Sequence, residues 1–433
     1  MQTSPYQLDL SDRPIREAHA HLLWHGQMLE RVDLTDCRSS DELLERLAAR
    51  ARATDGGVYA GCARPEAWTD PDWPALHDLD RVTGDRVCAV WSFDTHTVMV
   101  NSAAMRLKGV DRSIPDPPDG VIERDDTGSP TGVFKESAAE RFRDLEELDE
   151  PTRLRHLELA CRDLVDRGFA EVHDLKSQPW LPAALNQLER SGVPMPRLVL
   201  YPLVEDLRSF ARERGDWETD TITLGGGKIF TDGTLNSRTA WMLEPWADAQ
   251  EEQLAYPNGV PMWPAEEIAR QVRTCEEIGY PIAAHAIGDA AARAVLDAIE
   301  AESSRTVLAG PVGRHRVEHC QLVHPDDFKR FGELGVICSM QPCHLLYDIE
   351  ALGRAVPDRL DRVQPIRSLI NAGCAPGELM WFGSDTPVVR PDPGDSLQAA
   401  IERRRVGMAE TDAIGLSEAI DLETAAACFT MRG

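Results

Sequence analysis

The chain has 433 residues, with 46 basic against 73 acidic side chains and a formal net charge of −27 at pH 7. A surface this acidic repels nucleic acid and anionic lipid, which removes both from the expected partners. No run approaches eighteen apolar residues, and the opening MQTSPYQLDLSDRP has neither the basic nor the apolar region of a signal peptide, so a cytoplasmic protein is expected.

The length allows one large α/β barrel with insertions, or two to three ordinary domains. A hydrophobic share of 42% supports a sizeable core. The ten cysteines are scattered without a C-x-x-C pair, which reads as reduced, mostly buried thiols and not as a disulfide framework or zinc finger.

The first element is the apolar run Ile15–His21, expected to be a buried strand. A long stretch, residues 26–150, follows before the next such run. It holds helical pieces (Ser40–Thr54, Ser137–Leu148), a short apolar run (Val87–Trp91) and Pro-rich joints at Asp70–Pro74 and Ser113–Asp119. That is too long for an ordinary connection and predicts an inserted subdomain. From about residue 152 helix and strand patterns alternate. The helices are Thr152–Arg167, Ala265–Ile278, Ala290–Glu302 and Pro325–Leu334. The strands are Ala170–Leu175, Arg197–Leu203, Gly227–Phe230, Pro281–His285, His315–Cys320, Gly335–Gln341 and Met380–Ser384. Eight strands in this rhythm predict an α/β fold of the (β/α)8 TIM-barrel type, built from residues 1–25 and 151–433. Residues 26–150 are then an insertion after the first strand, landing on the face where barrels keep their chemistry, as a lid.

The chemistry-bearing residues fall where apolar runs stop. His19-Ala20-His21 places two imidazoles on one side of a strand, spaced to meet one metal ion, although the pattern alone is also met as a packed pair. His285 ends PIAAH, His319 ends HRVEH and Asp385 ends MWFGSD. Four strand ends carrying metal-binding side chains at one barrel mouth point to a metal site. Lys228, within GGGKIF, would be expensive as a bare ammonium in an apolar barrel. It either pairs with an acid such as Asp232 or, as a neutral amine, takes up carbon dioxide to give a carbamate bridging two metals.

The motifs HAHLLWHG (19–26), DTHTVMVNSAA (94–104), GSPTGVFKE (128–136), KIFTDGTLNSRTA (228–240), AHAIGDAA (284–291), RVEHCQL (316–322), SMQPCHL (339–345) and FGSDTPVVRPDP (382–393) run over nearly the whole chain. In kind and order they resemble the amidohydrolase superfamily, in the YtcJ-like branch that includes N-substituted formamide deformylases. The resemblance implies that His19, His21, His285 and His319 are metal ligands and Lys228 the carboxylated bridge. It implies that Asp385 is ligand and proton shuttle. It further implies zinc or a similar divalent ion, one or two per subunit, and a small-molecule substrate. Family members also carry a small β-sandwich built from both chain ends; with about fifteen residues before the first strand, that sandwich is expected to be reduced or absent.

The expected reaction is hydrolysis of a C–N bond other than a peptide bond, in a formamide, amide or carbamate-like group. A hydroxide held by the metal attacks, with Asp385 as general base and then acid. Deacetylation or deamination on the same site, or an inactive metal-binding regulatory protein, are the rival readings, and the complete ligand set favours an enzyme. His96, Arg238 and His344 are substrate-binding candidates; His96 and His344 also fit as packed groups, and Arg238 as half of an ion pair. Glu318 reads as an inward acid behind its neighbouring ligand. Self-association into a homo-oligomer stays open.

Overall fold

A computed structural model describes residues 4–8, 14–65, 68, 70, 72–92, 97–117, 120–146, 148–252, 254–303 and 308–431. They form two compact units, Met1–Leu22 with Ala160–Gly433, and Leu23–Leu159. In chain order the strands are β1 (Ile15–Ala20), β2 (Val32–Asp33), β3 (Val58–Ala63), β4 (Cys88–Ser92), β5 (Thr97–Val100), β6 (Gly120–Arg124), β7 (Pro130–Glu136), β8 (Phe169–Leu175), β9 (Arg197–Tyr201), β10 (Ile222–Leu224), β11 (Gly227–Phe230), β12 (Ile282–Ala286), β13 (Arg316–His319), β14 (Ile337–Met340) and β15 (Met380–Phe382).

The first unit is an α/β fold with two parallel sheets, ordered β1-β8-β9-β10 and β11-β12-β13-β14-β15. Every residue of β1, β12, β13, β14 and β15 is buried, which is why these strands read as continuous apolar runs without alternation. Helices connect them. The helix Ala265–Ile278 ends on Gly279 with φ 90°, a left-handed residue that stops it just before β12.

The single closed sheet expected from the sequence is not what the strands form, and a glycine pair is the physical reason. Gly225 still bonds β9, its N–H giving to Leu200 O at 2.9 Å, whereas Gly227 N–H gives to Pro281 O at 2.9 Å, next to β12. A Cβ on Gly225 would lie 2.5 Å from the Tyr201 ring, and one on Gly226 2.2 Å from Pro281 O. Only glycine allows the chain to change neighbours here. The strand read as Gly227–Phe230 is therefore preceded by a short segment, β10, on the other side of this step. Isolated parallel bridges join Ala20 of β1 to Thr386, beyond β15, and Lys228 of β11 to Leu203, beyond β9.

The second unit carries a six-stranded sheet, β2-β3-β4-β5-β7-β6, parallel from β2 to β4 and antiparallel beyond. The helix Ser40–Ala53 is capped by the Ser39 side chain, has Asp41 and Glu42 in its first turn and buries Leu43, Leu44 and Leu47. The helix expected over Ser137–Leu148 is cut to Ser137–Glu140. Beyond it Phe142 packs on Phe134, ring centroids 4.5 Å apart, so tertiary packing overrides the helical pattern. All ten cysteines are free, nine of them buried. Among the described residues no helix is long and apolar enough to cross a membrane.

Candidate metal centre

Strands β1, β11, β12 and β13 and the turns after β1 and β15 bring six of the expected residues together within the first unit, five of them buried and His21 half-buried. His21 Nε2 lies 3.0 Å and His19 Nε2 3.4 Å from Asp385 Oδ1. One ligand atom from each of these three residues falls within 4.8 Å of the others. The His319 ring centroid is 4.8 Å from that of His19 and 4.4 Å from that of His285. Lys228 Nζ sits 4.7 Å from the centre of the Phe230 ring, which is 5.4 Å from the His285 ring.

Backbone strain accompanies this placement. His319 and Asp385 have φ of 74° and 63°, a region that side chains with a Cβ seldom adopt and that recurs at functional sites. The turned backbone is held by hydrogen bonds, Asp385 N–H to His19 O at 2.8 Å and His21 N–H to Thr386 O at 2.9 Å.

Charge state follows from burial. Burial pushes the His19 and His285 pKa values down to about 4 and about 3, and burial with His285 alongside holds His319 well below its ordinary value. These three imidazoles are neutral at neutral pH and keep lone pairs. Burial opposes ionisation of Asp385, but His19 and His21 outweigh it and hold the carboxyl below its usual range. Burial lowers the Lys228 ammonium to about 8. Its Nζ is buried without a hydrogen-bond partner among the described residues. The ion pair with Asp232 does not form; that carboxylate instead accepts N–H groups from Trp241, Ile287 and Gly288 at 2.8–3.1 Å. The ligand atoms of His19, His21 and Asp385 lie close enough together to hold a metal ion, with the His319 and His285 rings alongside.

Ring orientation is set from behind. His285 Nε2 faces Gly233 O at 3.1 Å, with Asp232 Oδ1 at 3.4 Å. His19 Nδ1 lies 2.9 Å from Glu318 Oε2. Glu17, which nothing in the sequence reading singled out, accepts the N–H groups of His19 (3.0 Å) and Ser384 (2.8 Å) and the Ser384 hydroxyl (2.9 Å), joining β1 to the turn after β15. Its signal was available: an acid inside a fully buried strand.

The three substrate candidates fare differently. His344 Nε2 is 3.1 Å from Ser384 O and 3.9 Å from Asp385 Oδ2, beside the centre. Arg238 is committed elsewhere, its Nε and Nη2 gripping Asp248 at 2.6–3.1 Å while Nη1 gives to Leu235 O. The ion-pair reading of Arg238 therefore replaces the substrate-binding one. His96 lies outside the described residues.

A model of the amidohydrolase family matches residues 16–433, and the chain belongs to that family. It is 29% identical to the putative amidohydrolase YtcJ of Bacillus subtilis (strain 168) over 437 residues, 94% of this chain and 77% of that protein. It is 24% identical to the N-substituted formamide deformylase of Arthrobacter pascens, with the same coverage of both. Among solved structures, an uncharacterized metal-dependent hydrolase from Pyrococcus horikoshii OT3 superposes with a TM-score of 0.76 at 25% identity, covering 95% of this chain and 78% of that one.

Proposed function

We propose that this chain is a metal-dependent hydrolase of a non-peptide C–N bond in a small molecule, a formamide, linear amide or carbamate-like group. The observation that carries it is the convergence of His19 Nε2 and His21 Nε2 on Asp385 Oδ1, beside His285, His319 and Lys228, whose Nζ has no hydrogen-bond partner among the described residues. His19, His21, His285, His319 and Asp385 would hold one or two divalent ions. Mixed imidazole and carboxylate donors suit zinc. A bound ion polarises a carbonyl and lowers the pKa of water to near neutrality.

The protein's own groups do the rest. Oδ1 of Asp385 faces the two imidazoles, so Oδ2 takes the proton of the attacking water and returns it to the leaving nitrogen. The neutral amine of Lys228 adds to the carbon of CO2 and loses a proton, leaving an anionic carbamate that satisfies an otherwise orphaned buried group. His344 contacts substrate. The two sheets and their bridging pairs are the parts of a (β/α)8 barrel, with β10 and β11 as two halves of one strand.

Two measurements test this. Elemental analysis of the purified chain should find one to two equivalents of divalent metal per subunit, as the two-ion ligand set requires. Turnover should then appear on a panel of N-formyl amines, N-acyl amines and carbamates. Retention of no divalent metal after supplementation would refute the reading; turnover confined to aminated rings or N-acetyl groups would move it to deamination or deacetylation. Intact-mass analysis at neutral pH should find the carbamate's mass on Lys228, and an unmodified lysine in a fully metallated protein would remove the bridge.

A further inference from the structure

Behind the metal centre, a hydrogen-bonded chain of buried charges runs through the strands, and the proposed mechanism uses none of it. Arg316, on β13, is fully buried. Its Nε gives to Glu318 Oε1 at 2.8 Å and its Nη2 to Glu318 Oε2 at 3.0 Å, a two-pronged grip between residues i and i+2 of one strand. Nη2 also reaches Ala18 O at 2.7 Å and Ser339 Oγ at 3.1 Å, tying β13 to β1 and β14. Nη1 reaches His173 Nδ1, on β8, at 2.6 Å.

Proton positions follow from what each group can do. A guanidinium has donors only, and a carboxylate held on both oxygens by one can only accept. His19 Nδ1, 2.9 Å from Glu318 Oε2, must therefore carry the hydrogen, which leaves the lone pair on Nε2, the atom that faces Asp385. His173 is fixed the opposite way. Its Nδ1 accepts from Arg316, so Nε2 carries the hydrogen and gives it to Glu171 Oε1 at 3.0 Å, a carboxylate also held by Arg16 at 2.7 Å and by Arg197. One guanidinium thus separates two buried histidines into opposite tautomers, and only the His19 side ends at the metal centre.

We infer that Arg316 and Glu318 are positioning residues for the metal centre: their two-pronged pair fixes the ring and tautomer of His19 so that Nε2 is presented to the ion. This rests on His19 being a ligand, as proposed above. A purely structural pair would tie the strands together without affecting how the ion is held, and metal affinity separates the two cases.

The test is zinc affinity of the full chain by competition with a chromogenic chelator, with circular dichroism and melting of the metal-free protein measured beside it. Glu318→Gln keeps the size but not the charge, and should weaken zinc binding about 10- to 100-fold in a folded protein, the usual effect of removing a carboxylate behind a ligand histidine. Arg316→Lys should act in the same direction, because an ammonium cannot grip both oxygens. Added to Glu318→Gln it should change zinc affinity little further, since Arg316 acts through Glu318. A folded Glu318→Gln variant that binds zinc within about threefold of the parent overturns the inference. So does an Arg316→Lys effect that adds in full to that of Glu318→Gln. Should Arg316→Lys not fold, Glu318→Gln alone decides. A parent that binds no zinc overturns the metal reading first and this one with it.

Discussion

Asp385→Asn should abolish hydrolysis and leave the fold in place. The backbone at this position has φ 63°, where asparagine is among the least strained of the other side chains. The main-chain bond from residue 385 to His19 O does not involve the side chain and survives. One acceptor oxygen also survives to meet His21 and His19, which lie 3.0 and 3.4 Å from Oδ1. The amide cannot carry a proton from water to the leaving nitrogen. That role is worth roughly a hundred- to ten-thousand-fold in rate, or about 3–5 kcal/mol of barrier, before any loss from a weaker metal contact. The assay is kcat on the best formamide or amide substrate, with metal content and melting temperature measured on the same preparation. An aspartate that only braces the turn predicts the reverse, a lower melting temperature with near-normal turnover per folded molecule. A metallated variant that turns over within about tenfold of the parent would refute the assignment.

Changing both His19 and His21 to alanine should remove the bound metal, seen by elemental analysis, and unchanged metal content in the folded double variant would exclude the pair as ligands. Arg238→Ala should lower stability by about 3–5 kcal/mol, because it leaves Asp248 buried and unpaired, while KM stays put; a raised KM for carboxylate-bearing substrates at unchanged urea midpoint would return Arg238 to the binding site. At Glu171, burial pushes the carboxyl pKa up, but His173 and Arg16 more than reverse this and hold it below the usual carboxylate range. Below that range the unfolded chain takes up a proton that the native one does not, so stability present at neutral pH falls as pH drops. Glu171→Gln should flatten the acid limb of the urea-midpoint profile, and an unchanged limb would show that other groups set it.

Much of the first unit was legible because a buried parallel strand flanked by helices writes itself as an apolar run, and seven such runs after Ile15–His21 coincide with strands. Ile222–Leu224 was not, because three residues followed by Gly225-Gly226 fall below any pattern length. In the second unit β2, β3, β5, β6 and β7 were missed; their burial is mixed, whereas β4, which was read, is buried throughout. Five of the six ligand candidates were legible as polar groups at the ends of apolar runs, and Lys228 as a lone cation inside one. The commitment of Arg238 was not, since no spacing tells which of 73 acids, here Asp248, it will meet.

Four charged groups of these strands have a common mark. Glu17, Glu171, Arg316 and Glu318 are charged residues inside strands, and all are buried. Burying ion pairs of this kind seldom adds stability over a well-packed apolar replacement. Their presence therefore calls for another account, and their partners supply one. Glu17 holds the main chain of His19 and Ser384, and Glu318 holds the His19 ring, so two of the four end within a bond or two of a ligand candidate. The left-handed φ values of His319 and Asp385 need this support, because a strained turn persists only where its surroundings over-determine it. A charged residue in the middle of a buried strand is thus a sequence-level pointer to the layer behind a metal site, as a polar residue at the strand's end is to the site itself.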